Sequence, residues 1–247
     1  MAGEDFICWE ALDPASSALG QARRLYEATQ PAAERIPWRW IEGAVAERPR
    51  WRPGRWAPHL LLAAPRRESR SLREVVGFVY GIHLSGYGGY ATYLGVDPAY
   101  RRRGLGLRLL RLLVRVFQVD AGCEGTPLPF VIWESRRPDA AAPQAERDLW
   151  QARLRLFTRA GAGWISGATL QSPDFHHRGG PPVPLQLFLL PVDVPAEKFG
   201  AAALRQAALG LLHEVYGRGE DDPLVARTFA SGGEPRLLPA AEARAVD

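Results

Sequence analysis

The chain has 247 residues, of which 47% are hydrophobic and 23% charged, and a formal net charge of +4. These values fit one large folded domain or two small ones, and they exclude a fibre or a wholly disordered chain. The basic side chains are almost all arginine, with Lys198 the one lysine; an extended nucleic-acid face would need them clustered with stacking aromatics, so the charge reads as solvated surface plus a local anion site.

Part of the arginine excess reflects coding, because Ala, Gly and Pro are abundant too and share its GC-rich codons. Cys8 and Cys123 are the only cysteines. No CxxC or Cys/His cluster is present, so neither a disulfide framework nor a metal is expected. The opening residues, MAGEDFICWE, are acidic and lack a signal-peptide pattern. No apolar run approaches the roughly 18 residues that span a bilayer. The expectation is a cytoplasmic, bacterial protein with no membrane partner.

Residues 4–11 (EDFICWEA) read as a first strand. Asp13-Pro14 then opens a helix whose apolar face is Leu19, Ala22, Leu25 and Tyr26. A tryptophan-rich segment comes next, with Trp38, Trp40, Trp51 and Trp56 among Arg and Pro. It is either a packed core or lid, or one wall of a pocket. His59–Ala63 and Val75–Leu84 are strands joined by the polar turn RRESRS. The glycine-rich hairpin Ser85–Gly89 delivers a third strand, Tyr90–Val96. Three strands on short links predict an antiparallel meander.

Gly104–Phe117 changes to helical period, with Arg108, Arg111 and Arg115 on one stripe and apolar residues elsewhere. Phe130–Trp133 is a short apolar strand, and strand–helix–strand at this spacing predicts a parallel crossover. Ala145–Ala160 is a helix capped by Gly161. Gly163–Thr169 and Leu185–Leu190 are two further strands, separated by the loop SPDFHHRGGPPVP. Ala196–Tyr216 is a last helix, and beyond Gly217 a frayed tail is expected. No internal repeat or domain linker is visible.

The segment DPAYRRRGLGLRLL, Asp97 to Leu110, places three arginines and two glycines between a strand end and a helix start. A helix N-terminus carries unpaired N–H groups and partial positive charge, and glycine lets backbone approach a bulky anion. Together these make a phosphate cradle. It is not the dinucleotide fingerprint GxGxxG, because Leu109 stands at the third glycine and a meander precedes it. It is not a P-loop either, since no lysine is available there. His213-Glu214 lacks the second histidine of HExxH, which excludes a zincin helix.

Arg101, Gly104 and Gly106 spell RxxGxG, and this resembles the pyrophosphate motif of the GCN5-related N-acetyltransferases, the GNAT family. The likeness extends over YLGVDPAYRRRGLGLRLLRLL, over VVGFVYG before it, and over ARLRLFTRAGA after it. The resemblance implies a mixed, mainly antiparallel sheet flanked by helices. It assigns residues 4–192 to a GNAT-like catalytic domain, while helical patterning makes 193–217 an extension and composition makes 218–247 a flexible tail. It implies acetyl-CoA or another acyl-CoA as donor and an amine of a small molecule or protein as acceptor. Arg101, Arg102, Arg103, Gly104, Leu105, Gly106 and Leu107 would bind pyrophosphate. Leu94 and Val96 would pair with the pantetheine arm, and an N–H near Leu94 would polarise the thioester.

Amine acylation needs alignment and a proton acceptor. Glu134, ending the FVIWE strand, is the leading candidate base, against a surface carboxylate paired with Arg136 or Arg137. His83 is the second candidate, and His176 and His177 are a third. Many family members protonate the leaving thiolate with a tyrosine late in the second long helix; here that position is Phe157. Tyr93 or Tyr90 would substitute, or the thiolate leaves unassisted. Two other readings remain: a non-catalytic acyl-CoA-binding module, and an arginine-rich nucleic-acid binder with salt-dependent retention. A homodimer is left open.

Overall fold

The short apolar run FICW, closed by Glu10, forms the first strand, β1 (Phe6–Glu10). Asp13 then sets the start of the first helix. Its carboxylate accepts from Ala15 N at 2.9 Å and its carbonyl from Ser16 Oγ at 2.8 Å, so helix α1 (Ser17–Thr29) begins just past the Asp-Pro pair. The computed structural model describes residues 6–66, 74–139, 141–172, 182–230 and 233–243. The chain divides into two compact units, Met1–Thr126 and Pro127–Asp247.

In the first unit, α1 leads to a 3-10 turn at Ala32–Glu34, helix α2 (Trp38–Glu47) and a second 3-10 turn at Arg48–Arg50. Strands β2 (Ala57–Pro65), β3 (Gly77–Leu84) and β4 (Gly88–Val96) come next, then helix α3 (Leu105–Cys123). Strand order is β1-β2-β3-β4 and each neighbouring pair is antiparallel, the meander that short links predict. Helix α2 was not expected. Proline and arginine around the tryptophans hide its period, yet Trp38, Ile41 and Val45 bury one face at i, i+3 and i+7. They join Tyr26, Phe78, Tyr80 and Tyr93 in one core cluster. Trp38 is buried but Trp40 and Trp56 stay about half exposed, so the four tryptophans are not one packed core.

Helix α3 buries Leu105, Leu109, Leu113 and Phe117, spaced four apart, and runs on to Cys123 beyond its expected end. Its Arg111 and Arg115 are exposed.

The second unit holds β5 (Phe130–Ser135), helix α4 (Gln144–Ala160), β6 (Gly163–Ser172) and β7 (Val183–Pro191). Helix α5 (Ala201–Gly210) comes after them and widens into one π turn, Leu211–Val215. Gly161 caps α4 in the left-handed region at φ 89°, as its position predicts. Trp133, Trp150, Phe157 and Phe188 form an aromatic core in which the Phe157 and Phe188 centroids lie 4.6 Å apart.

Beyond Gly217 the expectation of a frayed tail is corrected in part. Pro223–Thr228 is a helix, α6, whose cap Asp222 accepts from Leu224 N at 2.8 Å. Arg236–Pro239 is a strand, β8, paired antiparallel with β6. Strand order within this unit is β5-β7-β6-β8. Leu237 packs where Gly163 has no side chain, a contact between residues far apart in sequence that local pattern does not reveal. His176 and His177 lie outside the described residues.

The architecture is the expected mixed α/β class: among the described residues there are eight strands, antiparallel in every ladder described within a unit, with helices against them. No described helix is long and apolar enough to cross a membrane.

Candidate functional site

Strand β4 hands the chain to α3 through a tightly determined loop. Asp97 accepts from Ala99 N at 2.8 Å and starts a 3-10 turn over Pro98–Tyr100. Arg101 Nε donates back to the Val96 carbonyl at 3.1 Å, and the Arg103 guanidinium lies 5.3 Å over the Tyr100 ring. Arg102 has φ 63°, the one left-handed non-glycine among the described residues, and Gly104 lies just beyond it at φ 78°. An L side chain is disfavoured in that region, at a cost of roughly 1–2 kcal/mol. Nothing lies within 4 Å of a Cβ built on Gly104, so backbone angle, not crowding, demands glycine.

The first intrahelical bond of α3 runs from Arg108 N to Gly104 O. The N–H groups of Leu105, Gly106 and Leu107 therefore have no partner within the helix. Arg101, Arg102, Arg103 and Gly104 are all exposed, while Leu105 and Leu107 are buried. The result is a positively charged helix end with its backbone donors turned outward, suited to a large phosphate-bearing anion.

The strand feeding this loop is irregular. Tyr80 pairs with Tyr93 but Gly81 pairs with Ala91, so Thr92 is the extra residue of a β-bulge. Just past it the Leu94 carbonyl accepts from Gln30 Nε2 at 3.2 Å. A Cβ on Gly95 would overlap the Phe78 ring and come within 2.5 Å of Thr29, so that position admits no side chain. Leu94 and Val96 are half-buried.

Residues 21–126, which contain this loop and its strand, match the acetyltransferase (GNAT) family. Residues 21–126 form a GNAT acetyltransferase domain. Among solved structures, a putative GNAT-family acetyltransferase from Bacteroides thetaiotaomicron is 18% identical with TM-score 0.52, covering 84% of this chain and 98% of its own. The NatC complex bound to Gag peptide and CoA is 14% identical with TM-score 0.50, covering 76% of this chain and 99% of that one. A putative acetyltransferase from Salmonella typhimurium with its cofactor acetyl-CoA is 17% identical with TM-score 0.48, covering 77% and 96%. At these identities the likeness is one of fold. No curated protein matches the sequence.

Within the GNAT domain, Tyr93 is 8% exposed, and its phenol is already engaged. It donates to the Glu34 carbonyl at 2.8 Å and accepts from Ile36 N at 2.9 Å, tying the turn before α2 to the sheet. His83 is 2% exposed and packs against Phe117. Burial pushes its pKa below the ordinary value, against the opposing charges of Glu124 and Asp120. Phe117 lies 12 residues beyond Leu105, or about 18 Å along the helix axis, so His83 is remote from the loop.

A buried ionic cluster was missed by sequence reasoning. His59 touches Glu10 Oε1 through Nδ1 at 2.7 Å and Asp120 Oδ2 through Nε2 at 2.5 Å. Arg48 donates to Glu10 Oε1 and Asp120 Oδ1, both at 3.1 Å. Four residues far apart in the chain gave no local signal; only the polar Asp120 inside an apolar helix hinted at it.

In the second unit, Glu134 is the penultimate residue of β5 and faces Leu187 across the ladder. Its Oε1 accepts from the Tyr216 phenol at 3.1 Å. Ser135 Oγ accepts a long 3.4 Å bond from Arg153 Nη1. Phe157 is 8% exposed, its ring in the aromatic core.

Proposed function

We propose that the chain is an acyl-CoA-dependent acyltransferase that moves an acetyl group from acetyl-CoA to an amine of a small molecule or protein. One observation carries this reading: left-handed Arg102 and Gly104 open the N-terminus of α3 outward inside a GNAT domain. In this reading the N–H groups of Arg102–Leu107 hold the pyrophosphate, with charge from Arg102 and Arg103. Arg101, bonded to the Val96 carbonyl, shapes the loop. Leu94 and Val96 pair with the pantetheine arm, and an N–H near Leu94 polarises the thioester carbonyl. The CoA named with the NatC structure is consistent with this donor.

An alkyl amine has a pKa near 10.4 and arrives protonated. Glu134 takes one proton so that nitrogen attacks the thioester carbon. The C–N bond forms, the C–S bond breaks and the thiolate leaves, while the second proton on nitrogen passes to water or to the departing thiolate. A thiol pKa near 8.5 lets it depart without an acid at the Phe157 position.

Thermal shift with acetyl-CoA, CoA and longer acyl-CoAs tests the donor. At about a hundredfold over Kd, ligand adds ~2.7 kcal/mol, raising Tm by roughly 5–10 °C in a chain of this size. Gly104→Glu should abolish the shift. No shift with any CoA, in folded protein, would remove the reading.

A second reading, a non-catalytic acyl-CoA-binding module, is favoured by Phe157, whose ring offers no proton. Thiol release on mixing acetyl-CoA with amines excludes it.

A further inference from the structure

Resting on Glu134 as the base, we propose that the C-terminal segment completes the catalytic apparatus, with Tyr216 the positioning residue that holds the Glu134 carboxylate ionised and in one orientation. The Tyr216 phenol donates to Glu134 Oε1 at 3.1 Å, between residues 82 apart in sequence. Both side chains are partly buried. A carboxylate withdrawn from water needs donors to stay charged, and a phenol, neutral until about pH 10, remains a donor throughout the working range.

Tyr216 is also aimed by unusual backbone. Helix α5 widens into the π turn Leu211–Val215 immediately before it, a distortion that rotates the next side chain to a new face. The turn is anchored, with Leu211 and Leu212 fully buried. After it, Gly217 N bonds His213 O at 3.1 Å and Arg218 N bonds Leu212 O at 3.0 Å. Arg218 then pairs with Asp222 at 3.3 Å. The segment is therefore built to a fixed position, and the phenol is the group it presents to β5.

Three other side chains near Glu134 are placed by the structure. Leu187 faces it across the ladder, and Arg153 of α4 is turned to Ser135. His213 lies on the π turn, one turn before Tyr216, and its Nε2 is buried without a hydrogen-bond partner among the described residues. Tyr216 is a direct donor to the Oε1 atom.

The test uses the full chain labelled with glutamate carrying 13C at Cδ, with Glu134→Gln assigning the Glu134 carboxyl resonance. Tyr216→Phe should move its titration midpoint upward by about one pH unit, because the anion has lost a donor. Site-specific 3-fluorotyrosine at position 216, nearly isosteric and a stronger donor, should move it downward; this arm serves if the phenylalanine variant does not fold. A midpoint unmoved by either change overturns the inference. In parallel, CoA release from acetyl-CoA is followed against pH with a polyamine, an aminoglycoside and a peptide α-amine. Tyr216→Phe should shift the acid limb upward while leaving the alkaline limb in place. Full turnover by Glu134→Gln would instead sink the base assignment, leaving the carboxyl titration to judge the Tyr216 bond by itself.

Discussion

His59 Nε2 lies 2.5 Å from Asp120 Oδ2, and neither residue is more than 2% exposed. With Glu10 on the other ring nitrogen, both nitrogens face carboxylates, so the bonded form is the imidazolium donating twice. Burial alone would lower the His59 pKa, but the bonds to Asp120 and Glu10 and their charges outweigh it and raise it. For Glu10, burial pushes upward, but His59 and Arg48 together bring it below the usual range.

A raised histidine pKa gives stability that is complete below about pH 6.5 and is lost as pH climbs through the folded value. A lowered glutamate pKa gives stability present above about pH 4.3 and lost as pH falls through its folded value. Tm measured against pH should therefore peak on the acid side of neutrality and decline toward alkaline pH. His59→Gln should flatten that alkaline decline and lower the unfolding free energy at the optimum by about 3–5 kcal/mol, since buried Asp120 and partly buried Glu10 then share Arg48 alone. An unchanged alkaline slope would show that His59 is not the group titrating.

Gly95 should tolerate nothing larger. Alanine there runs into the Phe78 ring and meets Thr29 Oγ1 at 2.5 Å. A loss of roughly 1–3 kcal/mol in urea unfolding is expected, and part of it should return when Thr29→Ala is added. Equal losses in the single and double variants would contradict the overlap.

Arg102→Gly separates backbone from side chain in the loop. Relief of the left-handed strain at φ 63° offsets the greater freedom of glycine in the unfolded chain, each about 1 kcal/mol. Tm should stay nearly constant. If the guanidinium contacts phosphate, acetyl-CoA affinity drops and its salt dependence flattens; isothermal titration at two salt concentrations reads both.

Phe157→Tyr places a phenol at this position. The ring sits in the Trp133–Phe188 core, so the hydroxyl should cost about 1–3 kcal/mol if left unbonded. Thiol release should be no faster than in the parent, because the thiolate is proposed to leave unassisted. A clear gain in kcat would show that its protonation limits the reaction.

The loop at Arg101–Leu107 was legible because glycine spacing, charge and a strand–helix junction all act locally. Most strands were legible too, bounded as they are by turn residues. Helix α2 was hidden because prolines and arginines break its period at both ends, while its buried face becomes apparent only against Tyr26 and Phe78. Glu134 became a candidate from its place at the end of FVIWE, but its hydrogen bond to Tyr216 was not legible, since it spans 82 positions. The ionic cluster escaped for the same reason. Tyr93 was read as a candidate acid from its place on β4, yet its hydroxyl holds Glu34 and Ile36.

Strand β8 has a practical bearing on how the protein is handled. Its four residues are hydrogen-bonded along Gly163–Ser166 of β6. Cutting the chain back to the end of α6 would strip that cover and leave β6 a row of unpaired backbone donors and acceptors, with an apolar slot where Leu237 had packed on Gly163. An open edge of that kind recruits strands from other molecules. Shortened versions should thus clump even if their helices and remaining strands form correctly, and any tag belongs after this strand, never in place of it.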